Sequence, residues 1–224
     1  SRAVRDVPEH KRSLSALVWL VRSRTSGFDL AHHNVFFSPD YQAEFADLNA
    51  GRAPRSPTAY LCALDRSGFA PLRPAERERM QIIVNAPARG DTKFYDTQEK
   101  HACSLTMLER LARCGLELER PLPHRLITPE DFAHRFPATG GALYGRASHG
   151  WAASFLRPGS RTRIPGLYCA GGATHPGAGV PMAALSGRLA AESLLADLGS
   201  TRRSRPRVIA GGTSTRSAMT GASG

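Results

Sequence analysis

GLYCAGGATHPGAGVPMAALSGRLAAESLLADL, running from Gly166 to Leu198, joins a short apolar run, a glycine-rich turn and an apolar-faced helix without interruption. Leu167 to Ala170 (LYCA) reads as a short strand that delivers the chain into GGATHPGAGVP, and Met182 to Leu198 reads as the helix that follows. Gly171, Gly172, Gly177 and Gly179 free the backbone to take positive φ and to approach a ligand with no Cβ in the way. Pro181 suits the first helical position, and a helix starting near Val180 offers unpaired N–H groups and the positive end of its dipole. Such an end favours an anionic or electron-rich group, and Thr174 and His175 add side-chain donors beside it. The plainer reading is a tight turn whose glycines serve packing alone. Neither common nucleotide-phosphate signature is present: GAG at Gly177 to Gly179 lacks the continuation of GxGxxG, and no GKS or GKT occurs.

The residues ahead of this segment read as a mostly antiparallel sheet with helices between its strands. Leu14 to Val21 (LSALVWLV), His32 to Ser38 (HHNVFFS), Thr58 to Leu64 (TAYLCAL) and Met80 to Asn85 (MQIIVN) are the strand candidates, with a turn-rich stretch around Gly68, Pro71 and Pro74. Asp40 to Leu48 reads as a helix with Tyr41, Phe45 and Leu48 on one face. A second helix has Asp96 as N-cap and Glu99 as its reciprocal partner, with Leu105, Leu108, Leu111 and Ala112 recurring until Gly115. Thr128-Pro129-Glu130-Asp131 opens a third, with a hydroxyl cap and proline at the first turn, and Pro137 stops it. After Asp197 the apolar periodicity fades, so Gly199 to Gly224 reads as a disordered tail.

With 41% hydrophobic and 22% charged residues the 224-residue chain has the composition of a folded globular protein. Its formal net charge of +11 is unevenly spread. Arg202, Arg203, Arg205, Arg207 and Arg216 lie in the tail with no acid among them, and no carboxylate occurs between Asp131 and Glu192. The second stretch should therefore sit in a positive potential. Cys62, Cys103, Cys114 and Cys169 form no CxxC pair and read as free thiols, consistent with a reducing cytoplasm. Leu14 to Val21 is far shorter than the roughly 20 residues of a spanning helix, so membrane contact would be peripheral.

Taken together, the Gly166 to Leu198 segment closely resembles the C-terminal flavin-binding signature of the bacterial phytoene desaturase family of carotenoid dehydrogenases. ALYGRASHGWAASFLRPGSRTRIPGLY (Ala142 to Tyr168), HHNVFFS and SPTAYLCALDR look most like its methoxyneurosporene dehydrogenase branch, the 1-hydroxycarotenoid 3,4-desaturases. The resemblance covers roughly Leu14 to Leu198. It implies a mixed α/β fold of the FAD-binding flavoprotein type. Residues 1–155 would form a β-rich substrate domain, 156–199 the terminal strand, loop and helix of the dinucleotide domain, and 200–224 a basic tail. Family members begin with a strand and glycine-rich turn for the ADP part of FAD; nothing here matches it, so Ser1 is expected to lie mid-protein. The implied FAD contacts are Gly171, Gly172 and Thr174, with Gly179, Val180, Pro181 and Met182 bringing the last helix against the flavin ring.

The implied reaction is dehydrogenation of an acyclic hydroxylated or methoxylated carotenoid at C3–C4, with hydride passing to FAD at a peripheral membrane surface. For such a substrate, placement in an apolar tunnel contributes more than any acid or base. His175 is the one weak candidate proton acceptor, equally readable as a support for the loop, and His149 beside Trp151 has similar standing. Trp19, Tyr60, Tyr144, Trp151 and Phe155 read either as tunnel lining or as plain core. Arg157, Arg161 and Arg163 read either as phosphate or headgroup contacts or as a solvated loop. No metal is expected, since the adjacent residues His32 and His33 on a strand would point to opposite faces. Two alternatives stand beside this reading. One is another flavin-dependent isoprenoid desaturase, isomerase or amine-oxidase-like enzyme. The other is a non-catalytic basic module for nucleic acid or anionic membrane, which would show steep salt dependence. Basic and aromatic residues are not interleaved as in single-strand binders, so no nucleic-acid partner is expected.

Overall fold

The computed structural model describes residues 3–66, 77–120, 124–147 and 157–204. The strands are β1 (Ser15–Ser23), β2 (Thr25–Ser26), β3 (His33–Phe36), β4 (Ala59–Ala63), β5 (Glu78–Ala86), β6 (Glu117–Leu118) and β7 (His124–Ile127). The helices are α1 (Tyr41–Asn49), α2 (Thr97–Arg113), α3 (Pro129–Arg135) and α4 (Val180–Ser204). Five strands form one antiparallel sheet in the order β3-β4-β5-β1-β7, and β2 and β6 form a separate ribbon.

The register of the sheet follows from its alternating residues. Leu17, Trp19 and Val21 of β1 stand opposite Val84, Ile82 and Met80 of β5, which in turn stand opposite Ala59, Leu61 and Ala63 of β4. All nine are buried and line one face, because a period of two places every second side chain on the same side. α2 covers this face with Met107 and Leu111, both fully buried. Burying each large apolar side chain here contributes on the order of 1.5–3 kcal/mol. Trp19 is the largest of them, and its indole Nε1 donates to Ser104 Oγ at 2.9 Å, while that hydroxyl donates to the Lys100 carbonyl at 2.8 Å. The polar edge of the ring is thus satisfied without opening the core.

Local caps match the sequence. Asp96 and Glu99 close a capping box on α2, and Thr128 and Asp131 close another on α3 with Pro129 in its first turn. The buried stripe of α2 is Ser104, Met107, Arg110 and Leu111, so it is rotated from the one expected, and Leu105 is 40% exposed. α1 departs further. Its buried residues are Glu44, Asp47 and Leu48, whereas Tyr41 is exposed and only stacks on Phe45. Thr58 Oγ1 donates to Glu44 at 2.7 Å, and Arg55 and Arg52 hold Asp47 well below the usual carboxylate range. An acid can stand on the inner face because donors reach it there: two arginines meet Asp47, and Thr58 meets one oxygen of Glu44, whose other oxygen is buried without a partner.

Three further expectations are corrected. Leu167 to Ala170 is not a strand; Tyr168 forms only an isolated bridge with Arg161. Pro181 is the second helical residue, not the first, because α4 opens at Val180. The helix also continues past Leu198 to Ser204, so the tail begins later than residue 199 or 200, and residues 205–224 lie outside the described residues. The turn-rich stretch around Gly68, Pro71 and Pro74 also lies outside them.

Among the described residues the most enclosed ion pair joins Arg66 to Glu78. The guanidinium donates Nε and Nη2 to the two carboxylate oxygens at 2.8 and 3.0 Å, Thr25 Oγ1 adds a third bond at 2.8 Å, and the Glu78 side chain is 4% exposed. Removing one partner strands a buried charge. Arg66→Ala is expected to lower the unfolding free energy by about 3 kcal/mol in urea titration, more than any exposed arginine replaced in the same way.

Candidate functional site

Residues 157–204 build the candidate site around a buried arginine. The Arg157 guanidinium donates Nη1 to the carbonyls of Tyr144 and Gly172 at 2.9 and 3.1 Å, and Nη2 to the Arg146 carbonyl at 3.4 Å. Arg157 thus joins the loop at 144–146 to the glycine turn, and it is neither a solvated loop residue nor turned outward to a phosphate. Its environment explains the choice of partner. With no acid in the surrounding sequence, a buried guanidinium satisfies its donors on main-chain oxygens.

The turn itself is pinned at both ends. Thr174 N donates to the Gly171 carbonyl at 3.0 Å, His175 N to the Pro158 carbonyl at 2.9 Å, and Gly171 N to Ser186 Oγ at 3.2 Å. Ser186 is fully buried, so this bond fastens the turn to the second turn of α4. Ala183 is the first α4 amide to bond back, to the Gly179 carbonyl at 2.8 Å. The earlier amides of Val180 and Met182 have no intrahelical acceptor, and Pro181 has no N–H.

The seven expected cofactor contacts fall into two groups. Gly171, Gly172 and Thr174 form the turn, with Thr174 buried; Gly179, Val180, Pro181 and Met182 form the open helix start, with Val180 85% exposed. Gly171 at φ +123° and Gly179 at φ +109° adopt backbone that suits glycine, and a Cβ on either would meet nothing within 4 Å. The space beside both glycines is therefore open to a flat ligand, and the helix start supplies donors and positive potential there. These residues fit the electron-rich edge of a flavin.

His175 is half-buried and lines an open cleft of about 390 Å³ with Arg161, Leu189, Glu192, Ser193 and Ala196, beside the middle of α4. Arg161 pairs with Asp197 at 2.9 Å, and Tyr168 Oη donates to the same carboxylate at 2.7 Å. Arg161 foremost, then Tyr168, hold Asp197 below its ordinary value, and the carboxylate holds Tyr168 above its own. The positive stretch is thus partly neutralised from α4. Of the aromatic candidates, Trp19 is core, Tyr60 bonds His33 and Tyr144 is exposed; His149, Trp151 and Phe155 lie outside the described residues. All four cysteines are free, and burial pushes the Cys103 thiol up, in keeping with an unreactive core sulfur.

The adjacent His32 and His33 are not held on opposite faces. His32 precedes β3, and the two ring centroids lie 4.2 Å apart. The sequence reading missed this, and it missed Arg157 and Ser186 as the fasteners of the turn. The signal for Arg157 was its place in an acid-free, glycine-rich stretch; Ser186 carried none.

Comparison with known proteins gives this geometry a class. Residues 96–195 match the family described as flavin containing amine oxidoreductase, and the glycine turn and most of α4 fall within the matched stretch. Hydroxyneurosporene desaturase of Rubrivivax gelatinosus is 55% identical over 224 residues, covering 98% of this chain and 42% of that protein. The enzyme of the same name from Cereibacter sphaeroides is 48% identical over 88% of this chain and 40% of its own length. A 1-hydroxycarotenoid 3,4-desaturase from a Flavobacterium species is 30% identical over 82% and 38%. Over most of its length the chain is similar to carotenoid desaturases. It spans about two fifths of the length of these relatives.

Two outcomes follow from the site. Arg157→Ala is expected to cost about 2–3 kcal/mol in denaturant unfolding, with Arg157→Lys in between, since three carbonyls lose a charged donor. Because the Asp197 pKa is depressed in the fold, its contribution is present above about pH 4 and is lost as pH falls through the folded value. The thermal midpoint of Asp197→Asn should therefore fall less than that of the parent between about pH 5 and pH 3.

Proposed function

We propose that this chain contributes the closing side of a FAD site in a carotenoid desaturase that dehydrogenates an acyclic hydroxylated or methoxylated carotenoid at C3–C4. The observation that carries the reading is the 55% identity to a hydroxyneurosporene desaturase across 98% of the chain. Bound FAD supplies the hydride acceptor. Gly171, Gly172 and Thr174 line it, and Gly179 lets it approach the helix start without a Cβ. The Val180 and Met182 amides, at the positive end of α4, would hold the electron-rich edge of the flavin and favour negative charge there. The side chains of Val180 and Met182, 85% and 41% exposed, cover that edge from water. His175 supports the loop through its main-chain bond to Pro158.

The carotenoid makes a membrane surface the place of work, and we place the protein on the cytoplasmic face of the inner or photosynthetic membrane. Among the described residues no helix is long and apolar enough to cross a membrane.

The test is a visible spectrum and a product chromatogram. The longest reading frame that contains this chain is expressed, examined for flavin absorbance, and incubated with 1-hydroxyneurosporene. Stoichiometric FAD and a product two hydrogens lighter are expected; a colourless protein, or unchanged substrate, overturns the proposal. Val180→Asp in the same protein puts a carboxylate where reduced flavin gathers charge. Turnover should fall at least about tenfold while the thermal midpoint stays unchanged.

A further inference from the structure

We propose that His32, His33 and Cys62 bind a late first-row divalent metal ion, with zinc the preferred one. The site is independent of the FAD reading. It lies at the outer edge of the sheet, where, among the described residues, β3 has a neighbour only on the β4 side. His33 and Cys62 are paired directly across β3 and β4, which puts both side chains on one face of the sheet. His32, one residue before the strand, is released from the alternation and swings its ring onto the same face, 4.2 Å from that of His33.

The donor atoms are already aimed. His32 Nδ1 lies 2.8 Å from the Ala63 carbonyl, an oxygen that can only accept, so Nδ1 carries the proton and Nε2 the lone pair. That lone pair faces Cys62 Sγ at 3.7 Å. A backbone carbonyl that fixes the remote nitrogen is the usual outer support of a metal-bound histidine. Zinc bond lengths of about 2.0–2.1 Å to nitrogen and 2.3 Å to sulfur make a tetrahedral N···S edge of roughly 3.5 Å. The His32 to Cys62 pair is thus close to that spacing, and the three donor atoms lie within 4.8 Å of one another. His33 is exposed and joined to Tyr60 Oη by Nδ1 at 2.7 Å, so its ring closes the remaining gap by side-chain rotation and leaves a solvent route to the ion.

Two imidazoles and one thiolate favour zinc and its neighbours over magnesium or calcium, which take oxygen donors. Cys62 is buried and His33 exposed, so the protein supplies three ligands from the inner side and water takes the outer fourth position. On binding, the thiol loses its proton to solvent, the sulfur becomes a metal ligand, and no electron is transferred.

Cobalt(II) is the probe, because thiolate coordination gives it a charge-transfer band and a tetrahedral site gives intense visible bands. The untagged, reduced and chelator-stripped chain is titrated with cobalt, then with zinc as competitor. Saturable one-to-one uptake with both sets of bands, displaced by zinc, is expected. Cys62→Ser should abolish the charge-transfer band, and His32→Gln and His33→Gln should each weaken cobalt binding at least about tenfold. Cys169→Ser should change nothing. Since Cys62 is buried, His33→Gln on the exposed side serves as the variant that keeps the core, and zinc protection of Cys62 from alkylation in the parent chain is a second readout. Absence of one-to-one uptake, a band that survives Cys62→Ser, or alkylation of Cys62 unaffected by zinc overturns the proposal.

Discussion

A guanidinium that leaves water must find acceptors for its donors, and three of Arg157's bonds go to carbonyls that belong to two separate loops. This requirement organises the functional half of the chain. The loop at 144–146 is itself tied to the N-terminal segment by Ser13 N to the Gly145 carbonyl and by the bridge between Arg12 and Arg146. Arg157 passes that constraint to the glycine turn at Gly172, and Ser186 passes it on to α4 through Gly171. The position of a helix start relative to the sheet is thus fixed by polar contacts with main chain, with little apolar packing between them.

The imbalance is visible along α4. Ser186 is fully buried, yet Leu195 is 67% and Leu198 53% exposed, as apolar as core residues and uncovered among the described residues. The sheet and α2 have the opposite character, with a closed set of apolar rows under one helix. The chain spans about two fifths of the length of the carotenoid desaturases it is similar to, and its two halves differ in how they use their surfaces. One packs its apolar rows against its own helix α2, and the other presents donors and apolar surface outward.

Much of the sheet was legible in the sequence because its strands alternate cleanly: β1, β3, β4 and β5 fall within a few residues of the apolar runs, and both capping boxes follow the S/T/D-x-x-D/E spacing. The inner face of α1 was not, because its burial rests on Glu44 and Asp47, whose partners Thr58, Arg52 and Arg55 lie in the next loop. Apolar periodicity has no means of registering an acid that is buried by virtue of a partner elsewhere. The strand at Leu167 to Ala170 failed for a related reason. Its composition suits a sheet, but its amides are used locally, Leu167 N on Ile164 and Cys169 N on Ser160. Of the candidate site, the turn and helix start were legible from glycine density alone, while the fasteners Arg157 and Ser186 depend on tertiary neighbours. The His32 and His33 pair shows the same limit, since alternation holds only where both residues are inside the strand.

β1 sits between β5 and β7, so its hydrogen-bonding edges are completed by residues 78–86 and 124–127, far along the chain from residues 15–23. Closing loops of that length costs entropy before the pairing returns anything, and non-local pairing of this kind slows folding. During synthesis β1 emerges before both of its neighbours, with Trp19 and its row uncovered until α2 and β7 have followed. The centre of the finished sheet is therefore apolar surface that stays uncovered while its partners are still being made, the condition under which strand edges are prone to mispairing.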